Sequence, residues 1–362
     1  TLDGRSLPMV GPARIYVCGV TPYDVTHLGH AATFVWVDAL VRVLRHSGMR
    51  PMVTRNVTDV DDVLTASARR AGAPYDEFAA VQQYNFDHDM GHLGVRRPDR
   101  EPRAHQHIAD VVRLAQALME RGRAYEVNGT VYFRGDGIAA SAGLGESEAR
   151  ALLAEFGESL DDPQKESVWD VPVWRASGDG DPAWPSPWGP GRPGWHAECT
   201  AMVLDSYGSS VDIHAGGADL AFPHHAYESA QAEAATDVRP FARAWMRVGT
   251  VRIDGAKMAK STGNLVLVSD LLRDHRAEAI RLLILDRRWS DAWEYTAQSL
   301  AEAEGRLDAL HVAAGRRGDD EHAEAEVLRH LLDDLDVPGA LSIALEAGGR
   351  PARQLAQVLG LA

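Results

Sequence analysis

The feature that most constrains this chain is the order of elements around one turn. Residues 14–18, Arg-Ile-Tyr-Val-Cys, form an apolar run that stops at Gly19. The chain then enters His27-Leu28-Gly29-His30, which heads an apolar stretch reaching about His46. The first run reads as a buried strand and the second as a helix. Met52 to Asn56 reads as the next strand. Strand, helix, strand in this order predicts a parallel α/β sheet, because parallel neighbours need a crossover.

Further along, residues 75–92 and 104–122 carry helical periodicity, and Thr130 to Arg134 is a short strand candidate. Residues 135–190 are rich in Gly, Asp and Pro clusters and read as irregular, much of an insertion into the sheet domain. Sheet-like patterning resumes after Trp195, with strands at Val211–His214 and Ala244–Gly249 and a helix at Pro223–Ala235. Asp254-Gly255 is a hairpin-turn signal. From Ser269 the pattern is helical to the end. The expected organisation is a sheet domain in two halves, 1–94 and 193–268, a connective insertion at 95–192, and a helical bundle at 269–362.

Two imidazoles flanking Leu-Gly at a strand-to-helix turn can meet phosphates, since Gly29 permits close approach and a helix N-terminus favours negative charge. His92, in Gly91-His92-Leu93-Gly94, shows the alternative of stray histidines, because no strand precedes it. The second signal is Lys257-Met258-Ala259-Lys260-Ser261. The chain has only three lysines, and two lie in this loop. Lysine is a mobile point charge where arginine is a planar fork. Lys257 and Lys260 are therefore candidates to close over a triphosphate and stabilise charge on departing pyrophosphate.

The net charge of −15, from 37 basic and 52 acidic residues, disfavours broad polyanion binding. No apolar run approaches a membrane span, and a cytoplasmic protein is expected. Two cysteines, Cys18 and Cys199, exclude a disulfide framework. With His224 they suit Zn²⁺ by residue type, and Glu228 shares a helical face with His224. Spacing alone leaves open that each cysteine is a small buried hydrophobe.

The His27–His30 and Lys257–Ser261 segments resemble the paired nucleotide signatures of class I aminoacyl-tRNA synthetases. With Tyr16–Gly19, Asn56–Asp62, Gly194–Cys199, Phe222–His225 and Lys257–Asn264, residues 1–265 resemble the cysteinyl-tRNA synthetase family. The resemblance implies a Rossmann-like (HUP-type) parallel sheet with an inserted connective domain and a C-terminal helical bundle. It implies one zinc per chain, held by Cys18, Cys199 and His224 with Glu228 as fourth ligand, gripping substrate cysteine. His27, His30, Lys257 and Lys260 become the catalytic set, acting on ATP with Mg²⁺. The implied cysteinyl-adenylate pocket comprises Cys18, Gly19, Val20, Thr21, Thr33, Asn56, Val57, Thr58, Trp195, Gly217, Ala218, Asp219 and Val251.

Within this family, Gly19–Asp24, the run His27–Thr33 and Val63 resemble the shorter mycothiol cysteine ligases, which join activated cysteine to the amine of glucosaminyl-inositol. Residues 262–362 hold 11 Arg, no Lys and 18 acidic residues, a balance of −7, unlike an anticodon-gripping tail. Ala259 departs from the usual Ser of the lysine motif, and Glu228 is a synthetase-like feature. The expected reaction is AMP-forming ligation of L-cysteine to an amino sugar by a monomer, without tRNA. The alternatives are a cysteinyl-tRNA synthetase lacking a full anticodon-binding domain, a cysteine ligase with another amine acceptor, and a catalytically silent cysteine- or zinc-binding paralogue.

Overall fold

The structure, a computed structural model, describes residues 1–22, 25–258 and 263–362. Its first elements are β1 (Ala13–Val20), α1 (Leu28–His46) and β2 (Pro51–Val57). β1 and β2 pair in parallel, as the strand–helix–strand order requires. α1 is buried along most of its length, which suits a crossover helix packed between a sheet and other helices. After β2 come α2 (Asp62–Ala71), α3 (Tyr75–His92), a 3₁₀ turn (Ala104–Gln106) and α4 (Ile108–Glu120). The periodicity over 104–122 thus divides into a turn and a helix. α2 lies where no helix was expected. Its signals were local: Asp61 caps it by accepting from Val63 N and Leu64 N, and left-handed Gly72 ends it.

The insertion is more regular than its composition suggested. β3 (Ala124–Val127), β4 (Thr130–Phe133), α5 (Ile138–Ser141), α6 (Glu146–Glu155), β5 (Val171–Ala176) and β6 (Gly191–Pro193) follow in order. The strands form an antiparallel sheet, β3-β4-β5-β6, with its own apolar core around Val111, Leu114, Phe133 and Trp174. Residues 135–190 read as irregular because their elements are short and separated by glycine turns.

The chain then returns to the parallel sheet through α7 (Trp195–Tyr207), β7 (Val211–Gly217), a second 3₁₀ turn (Ala218–Ala221), α8 (His224–Thr236) and β8 (Ala242–Val248). The strand order is β2-β1-β7-β8, all parallel. Chain order reverses between β1 and β7, and α/β sheets bind ligands at the carboxyl end of such a switch point. β9 (Val251–Ile253) and β10 (Ala256–Lys257) make the expected hairpin, with Asp254 and Gly255 at φ 52° and 74°.

The remainder comprises α9 (Val268–Asp274), α10 (Ala277–Leu285), β11 (Trp293–Glu294), α11 (Ala297–Ala314), α12 (Glu321–Leu332), α13 (Val337–Ala347) and α14 (Gly349–Leu359). β11, the one strand in this helical tail among the described residues, pairs with β9. The helices share one continuous apolar core with α1 and the parallel sheet. A buried arginine locks the arrangement. Arg281 on α10 donates to Asp38 on α1 at 2.8 Å, to Leu93 O at 2.9 Å and to Leu359 O at 2.7 and 3.1 Å. Among the described residues, no helix is long and apolar enough to cross a membrane.

Candidate active site

The carboxyl end of β1 approaches β2 too closely for any side chain at residue 19. A Cβ on Gly19 would lie 1.7 Å from the Asn56 carbonyl oxygen. Gly19 N donates to Asn56 Oδ1 at 2.8 Å, and Asn56 Nδ2 donates to Thr58 Oγ1 at 3.0 Å. Asn56 therefore fixes the loop after β1 against the loop after β2.

Four buried donors converge just below this junction. Cys18 (β1), Cys199 (α7), His224 and Glu228 (both α8) offer ligand atoms all within 4.8 Å of one another. Three separate elements supply them, so no local sequence spacing could define the set. Glu228 Oε2 lies 3.6 Å from Cys18 Sγ and 3.7 Å from His224 Nε2, as the i, i+4 spacing on α8 dictates. Two sulfurs, an imidazole and a carboxylate form a donor set that fits Zn²⁺.

The electrostatics fit a cation as well. The Cys18 hydrogen bond, then His224, hold the Cys199 thiol down to about 6 against its burial. Burial, and the hydrogen bond to Cys199, push the Cys18 thiol up. One thiolate is thus shared between the two sulfurs. Burial opposes charge on Glu228, but His224 and His214 overcome it and lower the carboxyl below its ordinary value. Behind Glu228, His214 and His225 are fully buried; His214 Nε2 lies 3.4 Å from Glu228 Oε1, and neither His225 nitrogen has a hydrogen-bond partner among the described residues. With Cys18 and Glu228 they form a second convergent donor group. Neither histidine was selected from the sequence, although His225 adjoins His224 in the quoted motif.

Above the metal-type cluster opens a cleft of about 810 Å³. Of the expected residues, Cys18, Gly19, Val20, Thr21, Thr33, Asn56, Thr58, Trp195, Gly217, Asp219 and Val251 line it, together with His27, His30, Lys257, Cys199 and His224. Val57 and Ala218 do not. Val57 is fully buried in β2, with its N–H bonded to Pro102 O, and Ala218 sits in the turn beside Gly217 and Asp219. Lys260 lies outside the described residues. The cleft also takes in Val63 and Arg70 from α2, and Glu155 and Phe156 at the end of α6. Val63 stands out in the sequence by its family resemblance, whereas Arg70, Glu155 and Phe156 carried no periodic or motif signal.

His27 is the N-cap of α1, and its Nδ1 accepts from Gly29 N at 3.1 Å and His30 N at 3.4 Å. That role requires an unprotonated Nδ1. The two imidazoles stack with centroids 3.7 Å apart. Burial, then Lys257, lower the His30 imidazole to about 4, so it is neutral near pH 7. His92, by contrast, closes the C-terminal end of α3, where no helix N–H groups point outward. Lys257 pairs with Asp219 at 2.6 Å and sits 5.8 Å from the Phe156 ring centroid. Trp195 stacks between Phe156 and His224, with centroids 5.7 and 4.3 Å away. One wall thus joins the lysine strand, the insertion and the cysteine–histidine cluster.

This geometry can be set beside known proteins. A ligase from Acidothermus cellulolyticus, named L-cysteine:1D-myo-inositol 2-amino-2-deoxy-alpha-D-glucopyranoside ligase, is 43% identical over 348 residues, covering 94% of this chain and 86% of that protein. A cysteine–tRNA ligase of Alkalilimnicola ehrlichii is 41% identical over 346 residues, covering 93% of this chain and 74% of that protein. Among solved structures, Mycobacterium tuberculosis methionyl-tRNA synthetase with methionyl-adenylate aligns with a TM-score of 0.64 at 18% identity, over 97% of this chain and 82% of that one, a likeness of fold. Residues 9–305 match the family described as tRNA synthetases class I (C) catalytic domain, and the chain belongs to that family.

Proposed function

We propose that the protein activates L-cysteine with ATP and transfers the cysteinyl group to the amine of glucosaminyl-inositol. The single observation that carries this reading is the convergence of Cys18, Cys199, His224 and Glu228 at the floor of the histidine- and lysine-lined cleft. Relatives named as the L-cysteine:inositol-glucosaminide ligase support the acceptor.

In the first step the cysteine carboxylate attacks the α-phosphate of ATP, forming the acyl–phosphate bond and breaking the bond to pyrophosphate. In the second, an amine nitrogen attacks the acyl carbonyl, loses a proton and releases AMP. Cys18, Cys199, His224 and Glu228 would hold a zinc ion, which would supply a soft contact for the substrate sulfur that a serine hydroxyl cannot match. The chain's own residues then position the reacting groups. Gly19 lets β1 approach β2 closely at the cleft, and Asn56 and Thr58 hold that loop in place. His27 holds the first turn of α1, and neutral His30 offers an uncharged hydrogen bond to a phosphate oxygen. Lys257 leaves Asp219 to meet the β- and γ-phosphates, which frees Asp219 to accept from the ribose hydroxyls. Lys260 contributes the second ammonium, and Mg²⁺ accompanies ATP. Catalysis is positioning plus charge stabilisation.

Cysteine-dependent exchange between ATP and labelled pyrophosphate tests the first half-reaction, and the second needs paired incubations with glucosaminyl-inositol and with tRNA. Amide formation on the amino sugar is the expected result. Charging of tRNA alone replaces the acceptor assignment with the synthetase reaction, and absence of exchange removes the enzymatic reading.

A further inference from the structure

The face of β1 that carries Cys18 also carries Tyr16, two residues earlier. Tyr16 stands opposite His214 in the parallel pairing of β1 with β7, so both side chains project from the same face of the sheet. Their ring centroids lie 5.2 Å apart. Tyr16, Cys18 and Cys199 share one buried cluster with Met202 and Val203 of α7 and Ala232 of α8. Tyr16 does not line the cleft. It lies behind the four converging donors, on the side away from substrate.

The Tyr16 ring is fully buried, and its hydroxyl makes no hydrogen bond to nitrogen or oxygen among the described residues. A phenol this deep ordinarily finds a partner. The groups that act on it are Cys199, then Cys18, then Glu228, and the Cys199 sulfur is the acceptor within its reach. A tyrosine kept only to fill space would do better as phenylalanine, because an unsatisfied buried hydroxyl destabilises. Charge explains the hydroxyl. Two thiolates and a carboxylate outweigh the charge of a zinc ion held among them, which leaves a buried complex net negative. Charge held away from water needs donors around it. His214 already faces the Glu228 carboxylate at 3.4 Å. The phenol is the matching donor on the sulfur side, since it keeps its proton at neutral pH. A thiolate accepts such a bond more strongly than a neutral thiol does.

Given the metal set of the proposed function, on which this rests, we propose that the Tyr16 hydroxyl donates a hydrogen bond to Cys199 Sγ and so positions that thiolate for the metal ion. Tyr16 is a positioning residue, because it touches neither substrate nor nucleotide and acts through Cys199. The buried cluster fixes the ring, and the ring fixes where the hydroxyl points. Losing an outer partner of this kind typically weakens metal binding by about 10–100-fold.

Tyr16→Phe tests the proposal, because it removes one oxygen, keeps the ring and leaves no cavity. Far-UV dichroism checks that the variant folds. Its zinc affinity, read by competition with a chromogenic chelator, should fall about tenfold or more. In protein loaded with Co²⁺ in place of zinc, the thiolate-to-metal absorption band should move to longer wavelength. A sulfur without its hydrogen bond gives up electron density more readily. Tyr132→Phe removes a hydroxyl bonded to Asp162 in the insertion and should change neither readout. The proposal is overturned if Tyr16→Phe binds zinc as tightly as the parent or leaves the cobalt band in place. A parent that takes up neither zinc nor cobalt instead removes the four-donor set itself, and the proposal with it.

Discussion

Replacing Arg281 with Met removes the cation that ties the helical tail to α1. In the parent, Arg281 makes contacts of 2.7 to 3.1 Å to Asp38, Leu93 O and Leu359 O, all in the buried interior. Breaking one side of a buried ion pair costs about 3–5 kcal/mol, because the remaining charge is left uncompensated. Asp38 here keeps Arg42 at 2.6 Å and the Arg96 amide, which places its share near the lower end. The stranded carbonyls of Leu93 and Leu359 add about 1–3 kcal/mol each when left without a donor. Met fills most of the volume, and water reaching these carbonyls recovers part of that loss. The expected cost is about 4 kcal/mol. Urea unfolding monitored by tryptophan fluorescence and by far-UV dichroism reads it as a shift in midpoint at unchanged slope. In the double variant Asp38→Ala/Arg281→Met the two losses should be less than additive, since each single variant breaks the same contact. A loss below about 1 kcal/mol, or strictly additive losses in the double variant, refutes the account of this pair as a lock.

Four other outcomes follow from the site. Cys199→Ser should abolish stoichiometric zinc in the purified protein, measured by elemental analysis, and a full complement of zinc in that variant contradicts the donor set. Because Cys199 is held down to about 6, it is mostly thiolate at pH 7 and gains a proton as pH falls through that value. Zinc retention, followed with a chromogenic chelator, should therefore be full near pH 7 and fall on acidification as protons compete for the thiolates and His224; release that rises with pH between 6 and 8 argues against it. His30 is neutral when folded, with its imidazole lowered to about 4, whereas an unfolded histidine titrates near 6.5. Its contribution is present above pH 6.5 and is lost as pH falls toward 4, so His30→Gln should flatten the acid side of the stability profile in that window. Lys257→Ala should lower the rate of pyrophosphate exchange by about 10²–10³ with a smaller effect on cysteine KM, and a raised KM at an unchanged exchange rate would point to binding alone.

Much of this molecule was legible one segment at a time. The run into Gly19, the His27–His30 turn and Asp254-Gly255 each carry their conformational instruction within a few residues, through periodicity, capping and turn chemistry. The same is true of α2, whose Asp61 cap and Gly72 terminus are plain once noticed. The insertion was less legible, because its short antiparallel strands have pairing partners far along the chain and little periodicity of their own.

The sequence by itself determined the α/β order, the residue types that suit a metal and the two segments that suit phosphates, because those properties reside in local patterns and in side-chain chemistry. Tertiary structure alone decided that Cys18, Cys199 and His224 share one point in space, since they ride on β1, α7 and α8. It also decided that Lys257 rests on Asp219, that Val57 turns into the sheet, and that the buried imidazoles of His214 and His225 lie behind Glu228. Convergence of distant residues depends on how the parallel sheet orders its strands and on how closely glycine lets them approach, and neither quantity is carried by any single stretch of chain.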